Sequence, residues 1–200
     1  MIIVDIEQNG DEWEKIRLGA ITSSYFKDIV TSTGARSKSR QKYMDKLASE
    51  IITGEREKSF YNKAMEEGHI REQENINHYQ FRSSCKITKV GFCWKDEKKL
   101  YGASPDALVN DDGLLEAKNA IGTVQISRLR EGWSAMEHHR QAQGQMLVTD
   151  RKYCVVRSYC RGMKPKEVRF ERDEEFLRKL EIELIMFHKD LHELVKSIQA

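Results

Sequence analysis

The stretch SPDALVNDDGLLEAK, residues 104–118, decides which fold this chain is expected to adopt. Two apolar segments, DALV and LLEAK, flank the tetrapeptide NDDG, whose Asn, Asp and Gly residues tolerate left-handed backbone conformations. This pattern predicts two short strands joined in a β-hairpin that turns around residues 110–113. Asp111 and Asp112 then lie in the turn and are interpreted as turn residues only.

Three charged residues of this hairpin form a candidate metal site. Strand side chains alternate between faces, so Glu116 and Lys118 project to one face and Ala117 to the other. Asp106, just after Pro105, begins the partner strand and can approach Glu116 across the ladder. Neighbouring carboxylates repel unless a cation lies between them, and all-oxygen ligands favour Mg²⁺ or Mn²⁺.

A lysine beside such a site can stabilise developing negative charge or help to orient and deprotonate a water molecule. Two acids and a lysine therefore predict metal-assisted phosphodiester hydrolysis. The alternative is a surface hairpin with an ordinary Glu–Lys pair, and the pattern alone does not decide between the two.

The composition is that of an ordinary globular domain. The 200 residues suit one core, so residues 1–200 are interpreted as a single domain. The net charge of +2 does not by itself indicate a nucleic-acid partner. The N-terminal segment lacks the features of a signal peptide, and no apolar run approaches a membrane span in length. We therefore expect a soluble intracellular protein with no membrane partner.

The cysteines indicate a reducing compartment. None of the four belongs to a CxxC pair, so buried free thiols are favoured over a metal cluster. They are Cys85, Cys93, Cys154 and Cys160.

Hydrophobic periodicity predicts an alternation of helices and strands. Helices are expected at residues 12–19, 25–30, 42–52, 63–82, 136–148 and 173–199. Besides the hairpin, strands are expected at residues 85–94, 153–160 and 168–170.

The C-terminal helix carries an apolar seam with alternating spacings of three and four residues. Packing on the chain's own core is favoured over an oligomer contact, because fewer than four heptads are present. The seam consists of Leu177, Leu180, Leu184, Phe187, Leu191, Leu194 and Ile198.

Four stretches together resemble a known family. SPD…LEAK resembles the core of the PD-(D/E)XK nuclease superfamily. EWEKIRLGAITSS (12–24), EGHIREQEN (67–75) and HRQAQGQMLVT (139–149) resemble the other motifs of the phage lambda-type, or YqaJ-like, recombination exonucleases, in the family's order. The resemblance implies an α/β (α+β) fold: a restriction-endonuclease-like core with a mixed central β-sheet flanked by helices, and a long C-terminal helix.

The resemblance also implies roles for the site residues. Asp106 and Glu116 would bind the metal ions, Glu72 would complete the metal environment, and Lys118 would act on the attacking water. Gln143 would help to hold the site or the nucleophile.

The choice of glutamine stays open, because three glutamines occur two residues apart. Gln141 is an alternative to Gln143, and helical spacing places Gln141 and Gln145 on one face with Gln143 turned away.

Two further groups would contact DNA. The resemblance implies that Arg17 meets the 5′-phosphate of a DNA end, with Ser24 or Ser23 nearby; a guanidinium suits phosphate oxygens. A flexible basic loop at residues 34–42 could contact backbone phosphates, although an ordinary solvated loop is the alternative. Its basic residues are Arg36, Lys38, Arg40 and Lys42.

The implied activity is a Mg²⁺-dependent, processive 5′–3′ exonuclease on linear double-stranded DNA. It would use two metal ions, with Mn²⁺ able to substitute, release 5′-mononucleotides and leave a 3′ overhang for recombination by single-strand annealing. The implied partners are DNA ends, two further copies in a homotrimer and a single-strand annealing protein, in the cytoplasm of a bacterial host. The alternatives are a Cas4-like or restriction-type nuclease and a non-catalytic DNA-end-binding protein.

Overall fold

A computed structural model describes the backbone of residues 1–56 and 63–200, and the side chains of residues 1–56 and 71–200. The first half of the chain contains β1 (Ile2–Val4), α1 (Asp11–Arg17), a 3₁₀ turn (Ser23–Tyr25), α2 (Phe26–Ile29), α3 (Arg40–Thr53), α4 (Lys63–Ser83), β2 (Ile87–Thr88) and β3 (Phe92–Trp94). The second half contains β4 (Gly102–Ala103), β5 (Ala107–Val109), β6 (Gly113–Asn119), α5 (Gly122–Glu131), a 3₁₀ turn (Met136–His138), α6 (His139–Thr149), β7 (Tyr153–Tyr159), β8 (Lys166–Glu171) and α7 (Glu174–Gln199).

The predicted hairpin is confirmed and lies inside a mixed sheet. Strands β5 and β6 pair antiparallel, with Ala107 opposite Leu115 and Val109 opposite Gly113. At the turn, Asn110 adopts a left-handed conformation with φ of 47°. The five-stranded sheet has the order β2-β5-β6-β7-β8, in which β6 and β7 are parallel. A smaller sheet joins β1, β3 and β4.

The two faces of the larger sheet have different coverings. On one face, α4 packs through Ile76 and Tyr79 against Leu115 and Ala117 of β6. On the other, the main core brings together residues of α2, α3, α6 and α7 with those of the sheet. Strand β6 is therefore buried on both sides, and consecutive residues of it face different environments.

Helix α7 packs its seam on the chain's own core, as favoured from the sequence. Leu180, Leu184 and Phe187 are fully buried, and α7 lies against α3. Ile198 is exposed, so the seam ends before the last turn. The helix begins at Asp173, whose carboxylate accepts a hydrogen bond from the backbone N–H of Phe176 at 2.9 Å.

Gly144 allows α6 to approach the segment before α2 closely. A Cβ atom at this position would collide with the ring of Phe26 and contact the side chain of Ser23. The absence of a side chain therefore brings α6, which carries three glutamines, against the Ser23–Tyr25 turn.

Several elements differ from the sequence-based expectation. The single strand expected at 85–94 is two strands in two sheets, because β2 pairs with β5 whereas β3 pairs with β1 and β4. Strands β1 and β4 and helix α5 were not predicted; the two strands contain only three and two residues. Cys93 and Cys154 are buried and free as predicted, whereas Cys85 and Cys160 are free but partly exposed. In the described parts of the chain, no helix is both long and apolar enough to span a bilayer.

Candidate active site

Strand pairing brings Asp106 and Glu116 together as predicted. Asp106 directly precedes β5, and the β5–β6 register, continued by one residue, places it opposite Glu116. The Oδ2 atom of Asp106 accepts a hydrogen bond from the backbone N–H of Ala117 at 2.6 Å. This bond fixes the Asp106 carboxylate against the middle of β6.

The carboxylate of Glu116 lies at the centre of a buried polar network. Its side chain is only 3% exposed. The Nζ atom of Lys118 lies 2.5 Å from Oε1, which also accepts from Gln141 Nε2 at 2.7 Å. The Nε2 atom of Gln145 donates to the other oxygen, Oε2. Glu116 is thus held by one residue of its own strand and two of α6.

The electrostatics of this cluster favour a cation. Burial raises the pKa of Asp106 well above its usual range, and the charges of Glu116 and Glu72 raise it further, against Lys118 and the Ala117 N–H. Burial lowers the pKa of Lys118, but the charges of Glu116 and Asp106 outweigh it, so the pKa of Lys118 is raised. Lys118 therefore stays protonated at neutral pH, and its ammonium group faces both Glu116 and Asp106.

Glu72 reaches the same region from α4. It lines a cavity of about 480 Å³ together with Asp106, Gln8 and Lys89. The Nε2 atom of Gln8 donates to the backbone oxygens of Val90 and Pro105, at 2.8 and 2.9 Å, and so closes one wall of this cavity.

The donor set fits a hard divalent cation. Among the described residues, no three His, Cys, Asp or Glu side chains already form a ligand shell around one point. Mg²⁺ does not need such a shell, since it is usually held by one or two carboxylates and completed by water and substrate phosphates. Asp106, Glu116 and Glu72 supply carboxylates whose mutual repulsion a cation would relieve.

The structure corrects the placement of Gln143. Its Nε2 atom donates to the backbone oxygen of Glu171 at 2.7 Å, and its Oε1 atom accepts from the N–H of Asp173 at 3.0 Å. Gln143 therefore joins α6 to the connection between β8 and α7, away from Glu116. Gln141 and Gln145 contact Glu116, because residues four apart lie on the same face of a helix.

A second, partly buried cluster surrounds Arg17 at the end of α1. Its guanidinium lies 4.0 Å from the centre of the Trp13 ring and donates to Ser104 Oγ at 3.3 Å and Ser24 Oγ at 3.4 Å. Its Nε atom is buried with no hydrogen-bond partner. Burial lowers the pKa of Arg17, although Tyr43, Tyr25 and Glu50 oppose this effect at longer range. In the described part of the chain, no acid forms an ion pair with this cation.

The choice between the two serines is also decided by placement. Ser24 accepts from Arg17, whereas Ser23 is buried under Gly144 of α6. Ser24 thus belongs to the Arg17 cluster, and the structure does not place Ser23 there.

The sequence did not single out Ser104, which links the two clusters. Its Oγ atom accepts from Arg17 and from the indole Nε1 of Trp13, at 2.9 Å for the latter, two residues before Asp106. The available signals were its position at the head of the SPD stretch and the presence of Trp13 one helical turn before Arg17. Neither signal shows that the two stretches meet.

The basic loop is only partly available for DNA. Arg40 is buried: it pairs with Glu183 and Asp190 of α7 at 3.2 Å each and lies over the Phe187 ring. The expectation that Arg40 contacts DNA is therefore corrected, because its guanidinium ties α3 to α7. Arg36 pairs with Glu183 at 3.0 Å but remains half exposed, and Lys38 is exposed.

The chain matches the family model described as the YqaJ-like viral recombinase domain over residues 12–152. This range includes the Arg17 cluster, Glu72, the hairpin and the glutamines of α6. A comparison with curated protein sequences gave no match.

Solved structures give a consistent picture. An alkaline exonuclease from Laribacter hongkongensis, LHK-Exo, is similar with a TM-score of 0.84 and 30% identity over 95% of this chain and 96% of that one. Its complex with dAMP is similar with a TM-score of 0.84 and 31% identity over the same shares. A phage-related exonuclease from Haemophilus somnus 129PT shares the fold, with a TM-score of 0.70 at 14% identity over 90% of this chain and 96% of that one. The fold is thus restriction-endonuclease-like, as expected.

Proposed function

The chain belongs to the YqaJ-like viral recombinase domain family, and from this membership we propose that it is a metal-dependent DNA exonuclease acting in the 5′ to 3′ direction. Its substrate is one strand of linear double-stranded DNA, and its products are 5′-mononucleotides and a 3′ overhang. The observation that carries the proposal is the arrangement of two charged clusters, Arg17 with its hydroxyl neighbours and the acids Asp106 and Glu116, joined through Ser104 and Asp106.

The proposed cofactor is Mg²⁺, as two ions, with Mn²⁺ as a substitute. Asp106, Glu116 and Glu72 would hold the ions, which supply Lewis-acid activation of water and neutralisation of the phosphate and the leaving 3′ oxygen. Gln141 and Gln145 fix both oxygens of Glu116, so the ligand is oriented before substrate binds.

Lys118 acts as the charged partner of the reacting phosphate. Because its pKa is raised, its ammonium group donates a hydrogen bond rather than accepting a proton in the resting protein. It lies on the same face of β6 as Glu116, so both groups reach one phosphate. The ammonium group can orient the attacking water and stabilise the negative charge that develops on the phosphate oxygens.

Arg17 reads the end of the strand. Its partly buried, ring-stacked guanidinium has a donor without a partner and two hydroxyl neighbours, a set that suits a terminal 5′-phosphate. The phosphate supplies the counter-charge that the described part of the chain does not.

Processivity, a homotrimer and an annealing partner belong to the same proposal. Exposed apolar residues on α5 and α7 support contacts with other protein surfaces in the cytoplasm of the host. They include Ile121, Ile126, Ile182 and Ile185.

Digestion of linear duplex DNA tests the proposal. One duplex carries a label at the 5′ end and another at the 3′ end, and each is incubated with and without Mg²⁺. We expect metal-dependent release of 5′-labelled mononucleotides first, and no product from Glu116→Gln. Cleavage of closed circular DNA would indicate a restriction-type endonuclease instead, and DNA-end binding without cleavage would indicate a non-catalytic protein. An iron assay tests the Cas4-like alternative.

A further inference from the structure

We propose that Arg157 is a positioning residue that sets the place of Glu72 relative to the acids of β6. The proposal rests on the proposed function, because it assigns Glu72 to the metal environment. It concerns a charged group that lies outside the site and that the sequence does not distinguish from a solvated arginine.

Arg157 lies beside strand β6, which carries Glu116 and Lys118. It lies on β7, and its register partner on the parallel strand β6 is Ala117, the residue between Glu116 and Lys118. Register partners point to the same side of a sheet, so Arg157 faces α4 together with Ala117. Its side chain is fully buried. Burying an arginine costs free energy unless its charge is paired and hydrogen-bonded.

The guanidinium is bound mainly by α4. Its Nη1 atom donates to both the backbone oxygen and the Oδ1 atom of Asn75, at 2.6 Å each. Its Nη2 atom lies 2.6 Å from His78 Nδ1, and its Nε atom donates to Glu167 of β8 at 2.8 Å. A single side chain therefore connects β7, β8 and α4.

The α4 residue that accepts both bonds from Nη1 is a neighbour of Glu72 on the helix. Residues 72 and 75 are spaced by three, and side chains at this spacing are neighbours on a helix surface. Asn75 is itself fully buried, and its Nδ2 atom donates to Asn119 of β6 at 3.5 Å. Arg157 thus bonds to α4 one turn after Glu72.

Glu74 of α4 also accepts a hydrogen bond from Tyr159 of β7 at 2.7 Å, whereas the apolar contacts of α4 with the sheet are less directional. Ile76 and Tyr79 pack against Leu115 and Ala117, and such apolar contacts tolerate small shifts along the helix. Hydrogen bonds of 2.6 Å to a backbone oxygen do not tolerate such shifts. Arg157, together with the Tyr159–Glu74 hydrogen bond, therefore fixes the part of α4 to which Glu72 is attached.

A residue behind a metal ligand is expected to affect metal affinity more than substrate binding. Loss of such a residue typically costs 10- to 100-fold in metal affinity or activity. Arg157→Lys keeps the charge but loses the forked geometry, so we expect about a tenfold higher Mg²⁺ concentration at half-maximal activity. The KM for DNA ends stays within about twofold, because the Arg17 cluster is untouched.

Arg172→Lys serves as the matched control. Arg172 also donates from Nη1 to two backbone oxygens, those of Met146 and Arg151, but it ties α6 to the start of α7. Both variants are expected to lower the melting temperature, and only Arg157→Lys is expected to shift the metal requirement. An equal metal requirement in the two variants overturns the proposal, because Arg157 is then structural only.

A second variant approaches the network from α4. Asn75→Leu removes the acceptor side chain and should shift the metal requirement in the same direction, while Asn75→Asp keeps an acceptor for Arg157 and should restore it. If Arg157→Lys does not fold, this pair decides the matter alone, and identical metal requirements in the two Asn75 variants overturn the proposal.

Calorimetric titration of Mn²⁺ into the protein without DNA separates the two proposals. Weaker Mn²⁺ binding by Arg157→Lys supports the positioning role even if the wild type fails to cleave DNA, in which case only the proposed function fails. Unchanged Mn²⁺ affinity in an active enzyme overturns the positioning role and leaves the proposed function intact. A wild type that neither binds Mn²⁺ nor cleaves DNA contradicts both.

Discussion

Two groups of buried charge lie on opposite faces of strand β6, and they are neutralised to different degrees. On the α6 face, Asp106 and Glu116 share one ammonium group, that of Lys118. The charge of Glu116 disfavours ionisation of Asp106, and neutral amides hold the Glu116 carboxylate. On the α4 face, Arg157 has Glu167 as a counter-charge and acceptors on Asn75 and His78. The charge in the second group is met by an acid and two acceptors, whereas in the first two acids lie beside one ammonium group and ionisation of Asp106 is disfavoured.

Arg17 belongs with the first group, although its sign is opposite. Its guanidinium is partly buried, it contacts an aromatic ring and two hydroxyl oxygens, and no acid among the described residues forms an ion pair with it. Burying charge without a partner costs free energy. Under the proposed function, the difference separates charges that hold the fold from charges that substrate and metal would complete.

Asp106→Asn should cause the largest loss of nuclease activity among the substitutions that test this comparison. The amide can still accept from the Ala117 N–H, but the proposed metal-binding carboxylate is removed, so we expect activity to fall more than about 100-fold, beyond the loss typical of residues behind a ligand. The melting temperature without metal should rise, because a buried repulsion is relieved. Nuclease assays and thermal melts measure both. A lower melting temperature would show that the acidic cluster is already neutralised.

Arg17→Ala should have the next largest effect. Loss of charge-assisted hydrogen bonds to phosphate, worth about 1.5–3 kcal/mol, corresponds to a loss of roughly 10- to 100-fold on 5′-phosphorylated ends. Initial rates on 5′-phosphorylated and 5′-hydroxyl ends measure it. Arg36→Ala is the control, since a loop contact should weaken both ends alike. Equal loss on both ends in Arg17→Ala would remove this residue from the phosphate role.

Gln145→Leu and Gln143→Leu compare two buried glutamines of one helix. Gln145→Leu removes a donor to Glu116, so we expect about tenfold lower activity, at the lower limit for a residue behind a ligand. Gln143→Leu leaves the N–H of Asp173 and the oxygen of Glu171 without partners, so it should lower stability by about 1–3 kcal/mol and leave activity nearly unchanged. Steady-state rates and chemical unfolding distinguish them; the reverse pattern would restore Gln143 to the site.

Glu74→Gln should have the smallest effect, because it removes one member of a neutralised surface pair. Hydrogen bonds from Arg161 and Tyr159 lower the pKa of Glu74 from its ordinary value of 4.5 to about 2. When folding lowers the pKa of an acid, the folded state is stabilised at pH values above the ordinary pKa. This contribution is lost as the pH falls from 4.5 towards 2. Melting temperatures of the two proteins should thus differ slightly at pH 7 and converge as the pH approaches 2. A constant difference would assign the effect to packing.

Local patterns were enough to predict the elements that carry the chemistry. The hairpin followed from NDDG between apolar runs, and α7 followed from its seam, because period and turn chemistry are local properties. Helical spacing predicted that Gln141 and Gln145 lie on one face of α6, although the family resemblance implied a role in the site for Gln143.

Contacts between distant segments could not be predicted in the same way. Arg157 lies within VVRSY and Arg40 within a basic segment. Neither pattern indicates that Arg157 is buried under α4 or Arg40 against α7. The meeting of Ser104 with Arg17 joins residues 87 apart in sequence. Such contacts depend on tertiary packing, which a single sequence does not encode in any short pattern.

The step of two residues along the chain from Ser104 to Asp106 has a consequence for the length of the released product. The two residues lie at most about 7 Å apart along the backbone, and each is fixed at its own end, Ser104 by Trp13 and Arg17 and Asp106 by Ala117. Under the proposed function, the strand terminus is recognised at one end of this step and cut at the other. The step then acts as a molecular ruler, so every cut releases a fragment of the same length whatever its base sequence.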